Sequence, residues 1–134
     1  MKKTVSVLVI LVLLFSFSAC GKVSDAETRE VPSEMYTQAD IDSAIKVIKR
    51  EFLFWNDCTL LEIYYAGDEM TEECQEWAER YDADEAIVLM SSFYVSEKAD
   101  GGTGLNPGMT YDWWNWILVR TDGGKWKHVD HGFI

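Results

Sequence analysis

The residues best suited to moving a proton lie near the end of the chain, where His128 and His131 flank Asp130 and Asp112 sits on the preceding apolar run. If Asp122-Gly123-Gly124 turns a three-residue hairpin loop, Arg120 pairs with Trp126, Leu118 with His128 and Trp116 with Asp130. That register puts His128 and Asp130 on one face with Trp114, Trp116 and Asp112. An acid beside an imidazole in an aromatic cavity can exchange a proton with a bound molecule. The same pair would serve equally as a solvated hydrogen bond on a sheet face. A metal site is not expected, because two histidines three apart on a regular strand point to opposite faces and the cysteines lack CxxC spacing. The glycines at 101 to 104 precede neither a helix start nor Lys-Ser/Thr, so they read as a turn and imply no phosphate-bearing cofactor. Ser91 and Ser92 have no base placed near them by sequence.

A second group of candidates is aromatic. Trp113, Trp114 and Trp116 crowd one strand and Trp126 lies across the hairpin from it. Alternation places Trp114 and Trp116 on one side and Trp113 on the other. These rings suit a core with cross-strand stacking, worth about 0.5–1.5 kcal/mol per pair. They suit equally a sheet face left open for a small apolar ligand or a protein, with Trp114, Trp116, Trp126 and His128 as contacts. A homodimer packed sheet to sheet would bury the same positions without any external ligand. Cys58 and Cys74 enclose fifteen residues. A disulfide closing such a loop contributes roughly 3 kcal/mol, yet Cys74 also fits the apolar stripe of a helix.

The elements that must position these groups are legible in outline. Thr37 is an N-cap with Asp40 as its capping-box partner, Tyr36 and Ile41 form a staple, and Ile41, Ile45, Ile48, Phe52 and Trp55 follow at helical spacing. Lys46, Lys49 and Arg50 mark the opposite face. CTLLEIYYA reads as a strand with Leu61, Ile63 and Tyr65 on one side, and Thr71 caps a second helix through Cys74, Trp77, Ala78 and Tyr81. EAIVLMSSFYV is a central strand, and two further strands flank the Asp122-Gly123-Gly124 turn. The expected fold is α+β: a long N-terminal helix packed on a curved four-stranded antiparallel sheet, in the order α-β-α-β-β-β. This arrangement resembles the cystatin-like, nuclear-transport-factor-type superfamily, some of whose enzymes transfer protons.

The start of the chain supplies an address. Lys2 and Lys3, then a hydrocarbon run from Val5 to Phe17, then Ser18 and Ala19, make the three-part pattern of an export signal over residues 1–19. A membrane span needs about 20 apolar residues, and this run is shorter. Phe17-Ser18-Ala19-Cys20-Gly21 resembles the lipobox of bacterial lipoproteins, with phenylalanine where leucine is usual. The resemblance implies lipidation of Cys20 and anchoring to the outer face of the cytoplasmic membrane. Residues 20–33, poor in bulky apolar side chains, read as a flexible stalk, and 34–134 as the domain. From Cys20 onward, 10 basic residues face 23 acidic ones, a net charge of −13 that makes nucleic acid and anionic lipid headgroups unsuitable partners. The string WNWILVRTDGGKWKHVDHGF resembles the C-terminal signature of a group of small Gram-positive bacterial lipoproteins of unknown function. That similarity runs from about Pro32 to Phe133 and implies an architecture and an address without an activity.

Overall fold

A computed structural model describes residues 20–134. The export signal expected over residues 1–19 lies outside the described residues.

The first helix, α1 (Gln38–Phe52), begins where its cap is written. The Thr37 hydroxyl accepts from the Asp40 amide, and the Asp40 carboxylate accepts from the Thr37 amide. Ile41, Ala44, Ile45, Ile48 and Phe52 are buried along one side. At about 1.5–3 kcal/mol for each large side chain removed from water, this stripe holds the helix to the sheet. The remaining elements are β1 (Cys58–Tyr65), the short helices α2 (Asp68–Glu73) and α3 (Glu76–Arg80), and the strands β2 (Glu85–Val95), β3 (Thr110–Arg120) and β4 (Lys127–Gly132). All neighbouring strands are antiparallel, in the order β1-β2-β3-β4.

Helix α1 lies on one face, over Leu60, Ile63, Tyr65, Ile87, Leu89, Phe93, Trp116 and Leu118. The other face is covered at one end by α2 and α3, with Cys74 and Ala78 packed near Val88, Ile117, Ala86 and Val119. The expected second helix is thus broken into two at Cys74–Gln75. Thr71 does not cap it. Its hydroxyl is buried and accepts from the Val88 amide at 3.2 Å, tying α2 to the sheet.

Each ladder carries one extra residue. Leu61 bulges from β1, the pair Asp112–Trp113 faces the single Ser92, and Val129 bulges from β4. A bulge bends its strand and increases its local twist. Each also reverses the alternation beyond it. In β1, Cys58 and Leu60 share a face with Ile63 and Tyr65, while Leu61 turns outward, against the expectation that it would side with Ile63.

The long helix is not the first described segment, and residues 20–33 are not a loose stalk. Lys22 and Glu27 pair in parallel with the free edge of β1. The amides of Lys22 and Glu27 donate to Cys58 and Leu61, and those of Leu60 and Ile63 donate back to Lys22 and Glu27 at 2.8 and 2.9 Å. Val23, Ala26 and Val31 pack on the core. Few apolar residues suffice because the edge strand supplies unpaired backbone groups that any sequence can satisfy. Gly21 is needed for the approach: its amide donates to the Leu53 carbonyl, and a Cβ there would stand 1.8 Å from the Phe52 carbonyl oxygen. Gly21→Ala should lift this segment from the edge, lowering stability by about 1–3 kcal/mol. Hydrogen exchange checks it: the Leu60 and Ile63 amides should lose protection, and unchanged protection would refute the close approach.

Candidate functional site

Beyond the last turn of α1 the chain reverses, and the helix-covered face of the sheet is left open at that end. Phe54, Trp55, Asn56, Cys58, Thr103, Leu105, Trp114 and His131 line a cleft of about 330 Å³ there. Its wall is an aromatic cluster. The Trp55 ring lies 5.0 Å from Trp116, 6.1 Å from Trp114 and 5.0 Å from the His131 imidazole. Trp116 is held by Ser91: its indole N–H donates to the Ser91 hydroxyl at 2.7 Å, which donates to the Trp114 carbonyl at 3.2 Å. Ser91 is therefore a buried positioning group. The Trp114 indole nitrogen is enclosed and has no hydrogen-bond partner among the described residues. Leaving such a donor unpaired costs about 1–3 kcal/mol.

The polar edge of the cleft is built by the β4 bulge. Because Val129 is extra, His128 pairs with Leu118 and His131 with Trp116, and both imidazoles fall on the α1 face. A carbonyl oxygen only accepts, so the 3.0 Å contact between His128 Nε2 and the Asp130 carbonyl places a proton on that nitrogen. The His128 Nδ1 nitrogen meets the Glu51 carboxylate. His131 Nδ1 lies 3.2 Å from His128 Nε2 and takes the acceptor role. His131 is then the neutral ring with its proton on Nε2, a hydrogen-bond donor at the cleft wall. Burial and the adjacent His128 hold its pKa below the ordinary 6.5, outweighing the opposing charges of Asp130 and Glu51.

No protein-family model, curated protein or solved structure matches this chain. The site is therefore read from its own geometry.

Several expected placements are corrected by that geometry. Trp116 and Trp126 do not lie on an open sheet face, and Trp114 borders the cleft. They are on the face under α1, with Trp116 wholly buried and Trp126 5% exposed. Trp126 donates through its indole to the Asp40 carbonyl at 3.0 Å and is a structural anchor. The sheet-to-sheet dimer thereby loses the exposed tryptophans that suggested it. The exposed indole is Trp113, at 71%, on the opposite side. The expected pair of His128 with Asp130 or Asp112 does not form. Asp130 pairs with Ile117 and gives His128 its backbone carbonyl, while Asp112 borders a hollow with Trp113, Arg29, Glu62 and Tyr64. The two histidines meet although a regular strand would have separated them. Among the described residues no group of three metal-ligating side chains converges. Cys58 and Cys74 are both buried and form no disulfide, since Cys58 belongs to the α1-side core and Cys74 to the α2-side core. Burial raises both thiols, Cys58 to about 11, which keeps them protonated and unreactive.

Glu51, Trp55 and Leu105 were not foreseen as parts of a site. Glu51 carried a signal: an acid in the last turn of a helix opposes the helix dipole and calls for a cationic partner elsewhere. The helical spacing of the α1 stripe extends to Trp55, and the chain leaves the helix before reaching it.

His131 yields a pH prediction. Its folded-state pKa lies below its unfolded one, so the neutral ring contributes stability that is complete above about pH 6.5 and lost as pH falls below that value. Urea midpoints of the native chain should therefore decline more between about pH 7.5 and pH 5.5 than those of His131→Gln. Equal declines would show that His131 is not held neutral.

Proposed function

We propose that this chain is an exported lipoprotein, anchored through Cys20 to the outer face of the bacterial cytoplasmic membrane, whose single domain binds a small, largely apolar ligand without transforming it. The single observation that carries the binding reading is the cleft beside α1. Its volume is in the range of ligand sites, its walls are Trp55, Trp114 and Leu105, and its polar groups are few and directional. His131 offers a donor, so the ligand that fits is an aromatic or aliphatic body bearing a hydrogen-bond acceptor such as a carbonyl or ether oxygen. The row from Glu51 through His128 fixes the tautomer of His131, which is how a binding site selects an acceptor over a donor.

The long helix laid across a bulged, antiparallel sheet supports a cystatin-like architecture for the domain. The lipobox-like residues support the anchor, and the Gly21 amide that follows Cys20 donates to the Leu53 carbonyl at the end of α1. A lipid on Cys20 would then hold the cleft close to the bilayer, where apolar ligands are concentrated.

A neutral apolar fluorophore with a carbonyl acceptor, 6-propionyl-2-(dimethylamino)naphthalene, tests the cleft. It should bind the chain saturably at one site, with blue-shifted emission. Leu105→Trp, which fills the cleft, should weaken binding at least about tenfold, equivalent to 1.4 kcal/mol, while Trp113→Ala on the far face leaves it unchanged. Binding that ignores Leu105→Trp would refute the site, and Cys20→Ala that still fractionates with membranes at unchanged mass would refute the anchor.

A further inference from the structure

Charge on this domain is not spread evenly. Of the 10 basic residues from Cys20 onward, five line one groove of about 680 Å³ between α1 and the β3–β4 turn: Lys46, Lys49, Arg50, Arg120 and Lys125. Arg120 is spoken for, as it pairs with Asp40 at 2.9 Å and with Glu85. The Asp40 carboxylate on the groove is likewise engaged by Arg120 and the Thr37 cap. Among the described residues, Lys46, Lys49, Arg50 and Lys125 have no ion pair, although 23 acidic residues are available in the chain.

The negative end of the α1 dipole accounts for Lys49 and Arg50 in the last turn. It does not account for Lys46 one turn earlier, nor for Lys125, which reaches the same groove from the hairpin. Lys46 also repels Lys49 and Arg50, since residues three and four apart on a helix are neighbours, and each like-charged pair costs about 0.2–0.5 kcal/mol. Four unpaired cations converging from two elements onto one hollow meet the requirement of a polyvalent anion. A single carboxylate would leave most of that charge crowded. A phosphoryl or pyrophosphoryl group matches both the charge and the donors, ammonium groups for point contacts and a guanidinium for a two-pronged one.

We propose that the groove between α1 and the β3–β4 turn is a binding site for a phosphoryl anion, separate from the apolar cleft. Two sources present this chemistry: a soluble phosphorylated compound and the phosphodiester of a lipid headgroup. The second rests on the lipoprotein reading, under which Arg50 is three residues, about 5 Å along the helix, from the Leu53 carbonyl that holds Gly21.

The chain from residue 20 onward, without lipid, is titrated at low salt with sodium pyrophosphate. Separately, it is sedimented with mixed phosphatidylcholine–phosphatidylglycerol vesicles and with phosphatidylcholine vesicles alone. Lys46→Gln and Lys125→Gln, both at exposed positions, should each weaken binding roughly fivefold. Arg80→Gln, the same charge change on α3, should leave it unchanged, and circular dichroism confirms that all three fold. Binding of pyrophosphate alone assigns a soluble ligand; binding of the mixed vesicles alone, or of both, assigns the headgroup as a source. Binding of neither overturns the proposal, as does an Arg80→Gln effect equal to those in the groove, because net charge rather than the groove would then be responsible.

Discussion

The fastening of α1 to the sheet at both of its ends is the constraint on which the rest of this structure depends. At the start, Asp40 does three things at once: its carboxylate closes the Thr37 cap and holds Arg120, and its carbonyl receives the Trp126 indole. Arg120 continues to Glu85 and lies 4.2 Å over the Trp126 ring, so the helix start, β2, β3 and the approach to β4 meet at one buried guanidinium. Removing Arg120 would leave Asp40 and Glu85, both partly open to solvent, without their shared cation, so the junction holds geometry while its net contribution to stability stays modest. At the far end, Glu51 meets His128 on β4. Between these two ties the apolar stripe from Ile41 to Phe52 can settle in only one register.

What the fastening leaves open follows from its length. Helix α1 stops at Phe52, short of the end of the sheet, and the aromatic rings beyond it close only partly over one another. The cleft is the space that the helix does not reach. The same fastening exposes the outward face of α1 to the β3–β4 turn, where Lys46 and Lys125 approach from opposite sides. The two hollows therefore have one origin and opposite chemistry, one apolar with a fixed donor and one cationic.

The sequence spoke clearly where local chemistry decides conformation. The Thr37–Asp40 cap, the apolar spacing of α1, the four strands and the glycine turn at 122–124 are written in residue types with one dominant use. Register was legible from the 122–124 turn as far as the Leu118–His128 pair and not beyond, because the three bulge positions hold Leu61, Asp112–Trp113 and Val129, none of which announces a break in alternation. Trp113 even adopts a positive φ of 56° without being glycine. One such residue, Val129, separates the expected pairing of His128 with Asp130 from the observed meeting of His128 with His131. Residues 20–33 were misread for a different reason: their attachment to β1 runs through backbone groups, and composition does not record backbone pairing. Glu51 and Trp55 lie far in sequence from the histidines they meet, and only the return of β4 beneath the end of α1 brings them together.

Native mass spectrometry of the chain extracted gently from its own host's envelope tests the central claim most directly, that the end of α1 leaves a ligand site beside Trp55, Trp114 and His131. The account predicts a monomer carrying a discrete additional mass that a Leu105→Trp copy, expressed and extracted in the same way, lacks. A bare monomer in both cases, or an additional mass that persists with the cleft filled, would contradict it.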